Sequence, residues 1–494
     1  MDDETLVPRY LHAPHAELTL SGPNGWPASK RSDLHALILG LVWLTVATGA
    51  IVFTEPAPFD ALMLGLVVLL PIAGLSTFTP GLLLMLAAWL VVAACGFGAA
   101  VLSLDMEKSV THTAVTLYLS VAGFVLAGFI LKKPEAHMRL IMNAYMWSAA
   151  VSALLGVIGY FDLFPGAYDL FTGFGRARGA FKDPNVFAPY LVPPLVHAIH
   201  LWLSRPVTKA FVPLGIVFLL SFALFLSFSR GAWVNLAVAL GVFGYLSFVL
   251  SATNWARFKL AMIALACVAA FAVVTLAALQ FDSISKLAAE RATLDQSYDQ
   301  GPEGRFGGQL KAVRLILENP FGIGAGEFTQ RHHTEEVHNV YLSMMLNAGW
   351  TGGILYAMTI IITLLFGLRQ LVRRTSFQSE LIVAWSCLFA VAFEGFVIDS
   401  DHWRHFFLLM AMVWGLGEAA RVPVAVMAGG LPRRLRRVLA TRPRLVDLMP
   451  PLAARPRRKR IALASAVVTQ PCASSDPRRG ARADGPRAPS LRLN

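Results

Sequence analysis

GLLLMLAAWLVVAACGFGAAVLS, residues 81–103, runs 23 residues without a charged side chain. An α-helix rises ~1.5 Å per residue, so about 20 apolar residues cross the ~30 Å hydrocarbon core of a bilayer. The stretch reads as a membrane span. Apolar blocks of similar length recur on both sides of it, and the spacing predicts twelve spans: 34–53, 61–79, 81–103, 110–131, 139–161, 185–203, 209–228, 231–251, 257–281, 340–368, 380–398 and 405–420. The second and third are separated only by Thr79-Pro80-Gly81. The tenth is interrupted by Gly349, Gly352 and Gly353, so it is either one long tilted helix or a broken one.

Composition points the same way. Of 494 residues, 56% are hydrophobic and 15% charged, against about 45–50% and about 25% in soluble domains. There is too little polar material to cover the surface of a soluble protein of this length. A soluble enzyme, a secreted disulfide scaffold and a disordered chain are excluded, which leaves an all-α polytopic membrane protein. Cys95, Cys267 and Cys387 lie inside apolar runs and Cys472 near the end, with no paired spacing that would suggest a metal site or a disulfide framework. Residues 1–33 are polar, and the apolar run that follows is too long for a cleaved signal peptide.

The formal charge of +12 is uneven. From Arg421 onward there are 17 Lys/Arg and three Asp, while the rest of the chain carries 25 basic and 27 acidic residues. The basic character is therefore a tail over 421–494, expected to be disordered and cytoplasmic, and not a nucleic-acid-binding domain. The positive-inside rule orients the spans. With the N-terminus in the cytoplasm, Lys132, Lys133, Arg139, Arg205, Lys209, Arg257, Lys259, Arg369, Arg373 and Arg374 fall inside, and residues 282–339 form the one long outside loop. The basic residues left outside work against insertion bias: Arg176, Arg178, Lys182, Arg230, Arg305, Lys311, Arg314, Arg331 and Arg404. A bound anion is the simplest reason for them.

Four outside stretches carry chemistry. Gly175-Arg176-Ala177-Arg178-Gly179-Ala180-Phe181-Lys182-Asp183-Pro184-Asn185 opens the sixth span and offers two planar guanidinium forks, suited to phosphate oxygens. Ser229-Arg230-Gly231-Ala232 joins two apolar runs so tightly that Arg230 lies at the membrane boundary, where an ionisable group is a functional candidate. In the long loop, Phe306, Leu310, Val313, Ile316 and Leu317 recur at helical spacing, which predicts an amphipathic helix lying over the bundle and stopped at Asn319-Pro320. Phe321-Gly322-Ile323-Gly324-Ala325-Gly326-Glu327 follows and reads as a tight turn, since no strand precedes it to make a dinucleotide fingerprint. His332, His333, Glu335, Glu336 and His338 then lead into the tenth span, in a spacing that fits no common metal pattern. The fourth stretch, Asp399-Ser400-Asp401-His402-Trp403-Arg404-His405, is read equally as a cation-holding acidic pair and as a solvated loop rimmed by an interfacial tryptophan.

In this order, these pieces resemble the O-antigen ligase / O-antigen and exopolysaccharide polymerase superfamily of bacterial envelope glycosyltransferases. The resemblance rests on Arg176-x-x-Gly179-x-Phe181 followed by Pro184-Asn185; on Ser229-Arg230-Gly231-Ala232; on Asn319-Pro320-Phe321-Gly322-Ile323-Gly324; and on His338-Asn339. It covers roughly 34–420 and is strongest over 160–365, while Arg178 and the basic tail depart from the pattern. It implies a multi-pass protein of the inner membrane with a C-type glycosyltransferase-like fold and an active site facing the periplasm. The implied donor is a glycan on undecaprenyl pyrophosphate. The implied acceptor is lipid A-core for a ligase or another lipid-linked glycan for a polymerase. The implied reaction inverts the anomeric centre and uses no metal or other cofactor.

Residue chemistry agrees with that reading. A pyrophosphate leaving group needs fixed cations where its charge develops, and a neutral histidine can take the acceptor proton. The expectation is that Arg176 and Arg230 meet the pyrophosphate, with Arg305 weaker and Arg178 as the substitute for Arg176. His338 is the expected base, with Glu327, Glu335 and Glu336 as competitors. Asn185, Ser229, Asn339 and Arg404 complete the substrate-side candidates. A transporter or flippase would place charges mid-span and show an internal repeat. A cation-dependent oligosaccharyltransferase acting on protein would carry an acidic pair in the first outside loop, which holds only Glu55 and Asp60. The ligase reading is preferred to the polymerase because the long loop leads directly into His338-Asn339.

Overall fold

A computed structural model describes residues 28–251 and 304–421, with a few isolated positions between them. The expected ninth span, residues 282–303 of the long loop, the N-terminal segment up to residue 27 and the basic tail beyond Arg421 lie outside the described residues. Helices cover each of the other eleven expected spans: α1 Ala28–Ala47, α2 Pro58–Ile72, α3 Pro80–Ala100, α4 Met106–Lys132, α5 Pro134–Tyr160, α7 Pro184–Ser204, α8 Phe211–Leu226, α9 Arg230–Leu250, α12 Val340–Leu371, α13 Gln378–Glu394 and α14 Arg404–Arg421. Three shorter helices lie in the connections: α6 Ala167–Phe171, α10 Arg305–Glu318 and α11 Glu327–Arg331. Seven helices among the described residues are long and apolar enough to cross a membrane, namely α1, α3, α4, α5, α7, α9 and α12, and α2 and α8 are shorter apolar helices. The chain is an all-α membrane protein.

Local chemistry sets the helix starts. α2, α3, α5 and α7 each begin on a proline, whose fixed φ suits the first turn and whose missing N–H would have no helical partner there. Thr79, Asp105, Asp183 and Asn339 cap α3, α4, α7 and α12 with side-chain oxygens on backbone N–H groups of the first turn. Inside the bundle α14 runs along α4, α12 along α3 and α13 along α9.

The tenth expected span resolves as a broken helix. Gly349 sits at φ 68°, ψ −178°, outside helical geometry. A Cβ there would lie 2.7 Å from the Pro320 carbonyl. The break gives the Asn319-Pro320-Phe321-Gly322 turn a place to dock. Trp350 N–H donates to Pro320 O at 2.9 Å, and Ile323 N–H donates to Leu346 O at 2.8 Å. Gly322, Gly324 and Gly326 all have positive φ, as a tight turn requires.

α10 forms where expected but faces the other way. Its small residues Gly308 and Ala312, with Ile316, are buried against a cluster that includes Phe328, Val337 and Leu346. Phe306, Leu310, Val313 and Leu317 point outward. The small residues permit close backbone approach to α12, and Trp350 Nε1 donates to Ile316 O at 2.7 Å. That leaves the large apolar stripe on the outside, where an interfacial helix meets lipid.

Candidate active site

The first motif is built on a two-residue hairpin, Thr172–Gly173 (β1) against Arg176–Ala177 (β2). Phe174 and Gly175 at its corner have φ 54° and 72°, the paired positive φ of a type I′ turn. The hairpin sends Arg176 inward, to 6% exposure. Its Nε donates to Ser227 O at 2.6 Å and its Nη2 to Asn185 Oδ1 at 2.7 Å. Asn185 N–H in turn donates to Asp183 Oδ1 at 2.7 Å. These two bonds of Arg176 join the start of α7 to the turn that precedes Arg230. Arg178 holds its own loop, donating to the carbonyls of Lys182, Asp169 and Leu170 at 3.3–3.4 Å.

The second motif starts α9. Phe228 adopts φ 47°, a left-handed conformation that costs a non-glycine residue energy. Ser229 is buried at 2% exposure and donates its N–H to Ser227 Oγ at 3.3 Å. Arg230 is the first helical residue. Beside it, Gly231 leaves room for a carboxylate, since a Cβ at that position would meet Glu394 Oε1 at 3.0 Å. Asn235 Nδ2, one turn on, donates to Glu394 Oε2 at 2.5 Å.

His338 lies one residue outside α12 at φ 52°, not on the helix itself. Its backbone is held from two sides. The N–H donates to Asp399 Oδ2 at 2.8 Å, and the carbonyl accepts from Gln309 Nε2 of α10 at 3.2 Å. Ser343 Oγ donates to the other oxygen of Asp399. The ring Nε2 stands 3.5 Å from Glu335 Oε2. Burial, and then the charge of Arg305, push the imidazole below its ordinary pKa, against the opposing pull of Asp399 and Glu335. Burial raises Asp399, although the Ser343 hydroxyl opposes it. Burial and the Asp399 charge also raise Glu336. Asn339 accepts from Tyr341 N–H and Leu342 N–H at 3.1 and 3.2 Å, which makes it the cap of α12.

The fourth motif is the segment that brings the others together. The solvated-loop reading is wrong: Ser400, Asp401, Trp403 and His405 are all buried. Just ahead of them, Gly395 O accepts Val340 N–H at 2.9 Å, at the head of α12. Asp399 holds His338, as described. Asp401 Oδ2 lies 3.0 Å from His112 Nε2 of α4. Burial alone would lift Asp401, but the imidazoles of His402 and His112 hold its carboxyl well below the usual carboxylate range. Arg404 forms a two-bond pair with Asp60 at 2.9 and 2.7 Å, and Asp60 also accepts the Ala57 N–H at 2.8 Å. The His405 ring meets Tyr190 of α7 edge-on, with centroids 5.8 Å apart. Asp399 and Asp401 thus have separate partners and do not converge as an acidic pair.

A cavity of about 290 Å³ opens between the first and fourth motifs, lined in part by Lys182, Asp183, Asp399, His402, Arg404 and His405. A larger one of about 440 Å³ between α3, Pro320-Phe321 and α12 is lined by apolar and small residues, with Cys95 and no acid, base or histidine. Glu327 falls outside both. It accepts from Ser103 Oγ and Leu104 N–H at 3.2 Å each and pairs with Arg331 at 3.1 Å, which anchors α11 on the α3–α4 turn. His112, Ser343 and Glu394 were not among the sequence candidates, and Asp60 was weighed there only as half of a metal pair. His112 and Glu394 did carry a signal, as ionisable groups within apolar runs. Ser343 carried none.

Residues 215–357 match the family model described as O-antigen ligase. The match runs from α8 into the second part of α12 and takes in Ser229-Arg230, Asn319-Pro320 and His338-Asn339. No curated protein and no solved structure matches the chain.

Proposed function

We propose that this chain, whose residues 215–357 fall in the O-antigen ligase superfamily, transfers a glycan from undecaprenyl pyrophosphate to a sugar hydroxyl at the periplasmic membrane face. The observation that carries the reading is the convergence on residues 394–404. That segment fixes His338 through Asp399, borders Arg230 through Glu394, and walls a cavity shared with the Lys182 loop. Asp399, which holds the His338 backbone, thus lines the same cavity as the cations Lys182 and Arg404.

The residues divide the reaction among them. His338, kept neutral by burial and by Arg305, takes the proton of the acceptor hydroxyl. The freed oxygen attacks the anomeric carbon from the face opposite the leaving group, the bond to the pyrophosphate oxygen breaks, and the configuration inverts. Arg230 and Arg305 offset the charge on the departing undecaprenyl pyrophosphate. Arg176 acts through the turn it holds, and Asn185 is its partner. Asn339 and Asp399 set the position of His338. The proposed organisation is a cytoplasmic segment over 1–33, a membrane domain over 34–420 with residues 282–339 in the periplasm, and a cytoplasmic basic tail over 421–494.

The test is single-turnover transfer from a purified lipid-linked donor. His338→Ala should lose about 10²–10⁴-fold while still inserting, the range for general-base catalysis. Full activity in that variant rejects the assignment. The acceptor is read from a gene deletion: accumulated lipid-linked polymer with uncapped lipid A-core identifies a ligase, and accumulated single repeats identify a polymerase. An alkaline phosphatase fused after Phe281 should be active and one fused after Arg421 inactive; the reverse overturns the topology.

A further inference from the structure

The cavity of about 290 Å³ behind the Lys182 loop is walled for one kind of guest. Phe181, Tyr190 and Trp403 form its aromatic side, and all three are buried. The Tyr190 hydroxyl is 2.8 Å from Ser148 Oγ, its ring centroid is 5.0 Å from that of Phe181, and Trp403 stacks on His405 with centroids 4.9 Å apart. His405 belongs to the lining too. It is 3% exposed, and its Nε2 has no hydrogen-bond partner among the described residues. We propose that this cavity seats the acceptor sugar as an uncharged ring, and that His405 helps to select it through one hydroxyl. The proposal rests on the transfer reading and adds to it where the acceptor lies and what charge it carries.

The charges decide against the pyrophosphate as the guest. Glu55, Asp183 and Asp399 line the cavity, opposed by Lys182 and Arg404. Neither cation is in surplus: Arg404 is bound twice by Asp60 at 2.9 and 2.7 Å, and Lys182 Nζ lies 3.6 Å from Glu55 Oε2. Arg230 and Arg305, assigned to the leaving group, are not in the lining. A phosphate here would meet more carboxylates than cations. An uncharged sugar avoids that repulsion. Its C–H face packs on aromatic rings, and its hydroxyls serve carboxylates and imidazole alike, because each both donates and accepts. A buried ring nitrogen with no partner is costly, and a bound hydroxyl removes the cost. A sugar without that hydroxyl leaves the cost in place, so the same nitrogen discriminates.

The seat is also close to the expected base. Asp399 contributes to the wall and accepts the His338 N–H at 2.8 Å, so a sugar held here lies against the segment that positions His338. The Lys182 and Glu55 side chains are 50% and 59% exposed, which marks their pair as the mouth.

The experiment uses the full chain, purified in a detergent without a sugar head group. Saturation-transfer NMR on the wild type, with no donor present, compares methyl glucoside, methyl galactoside and methyl N-acetylglucosaminide with methyl glucuronide and methylenediphosphonate at millimolar concentration. At least one neutral glycoside should bind, the two anions should not, and His405→Phe should abolish the signal. In transfer assays His405→Phe should raise the acceptor KM about tenfold, the loss of one hydrogen bond, and leave the donor KM unchanged. Lys182→Ala, a change at the exposed mouth that leaves the His405 packing alone, should likewise move the acceptor KM and not the donor KM. A wild type that binds no neutral glycoside, or binds the anions as well, overturns the proposal. So does a tenfold rise in donor KM in either variant, which would place the pyrophosphate in the cavity. If neutral glycosides bind through His405 but no glycan is transferred, the transfer reading fails and the cavity stands as a sugar site.

Discussion

Arg176 gives the sharpest test of how the arginines divide their duties. Its side chain is 6% exposed and makes two short bonds, to Ser227 O and to Asn185 Oδ1. Hydrogen bonds from a charged donor contribute roughly 1.5–3 kcal/mol each, so Arg176→Ala should destabilise the chain by about 3–6 kcal/mol. At this chain length that corresponds to a fall in melting temperature of very roughly 3–6 °C. Arg176→Lys should recover little, since one ammonium cannot reach both acceptors in the geometry of the fork. Asn185→Ala alone should cost about half as much. The double variant should cost less than the sum of the two singles, by roughly 1.5–3 kcal/mol, because the shared bond is lost only once. Tryptophan fluorescence melts of the purified variants give the stabilities, and initial transfer rates against donor concentration give the donor KM. If Arg176→Ala melts with the wild type while its donor KM rises tenfold or more, Arg176 binds the pyrophosphate directly and the clamp argument fails.

Other expectations follow from the same geometry. The His338 imidazole must be neutral to act as a base, so transfer should fall as pH drops through its pKa, and the midpoint should lie below pH 6.5. Arg305→Gln removes a charge that lowers this pKa, so the acid limb should move to higher pH; a pH–rate profile unchanged by that variant separates Arg305 from His338. Gly349→Ala should cost at least about 2 kcal/mol, from the positive φ and from the Pro320 carbonyl in its path. Limited proteolysis near Asn319 should show the turn released. Asp60→Ala strands a largely buried Arg404 and should destabilise by about 3 kcal/mol. Asp60→Ala/Arg404→Ala should be milder than the sum of the singles, and simple additivity would mean that the pair is not coupled.

Much of this was legible from residue order. Apolar runs set by bilayer thickness placed eleven helices, because a span must satisfy its own backbone and so announces itself locally. Tertiary pairing was not legible. Nothing local to Arg176 says that Ser227, 51 residues on, will take its proton donor, nor that Arg404 will find Asp60 344 residues earlier. The stripe on α10 showed its period but not its direction, because apolar side chains face lipid as readily as protein at a membrane boundary. Asp399-Ser400-Asp401 reads as polar and therefore as wet. It is buried because distant elements supply partners: His338 N–H and Ser343 for Asp399, and His112 for Asp401.

The position of that segment also bears on when the site comes into being. A membrane chain is threaded into the bilayer from its N-terminus as it is made, and residues 394–404 form the connection between α13 and α14, the last two helices described. Asp60, His112, Arg230 and His338 are each in place before any of them has its partner in this loop. The site therefore closes in one late event, once α14 has entered. A chain halted by a stop codon before Glu394 would hold most of its spans and two of its arginine motifs, yet lack the piece that registers them. Premature termination near the end of the reading frame should be as damaging as a break at the centre.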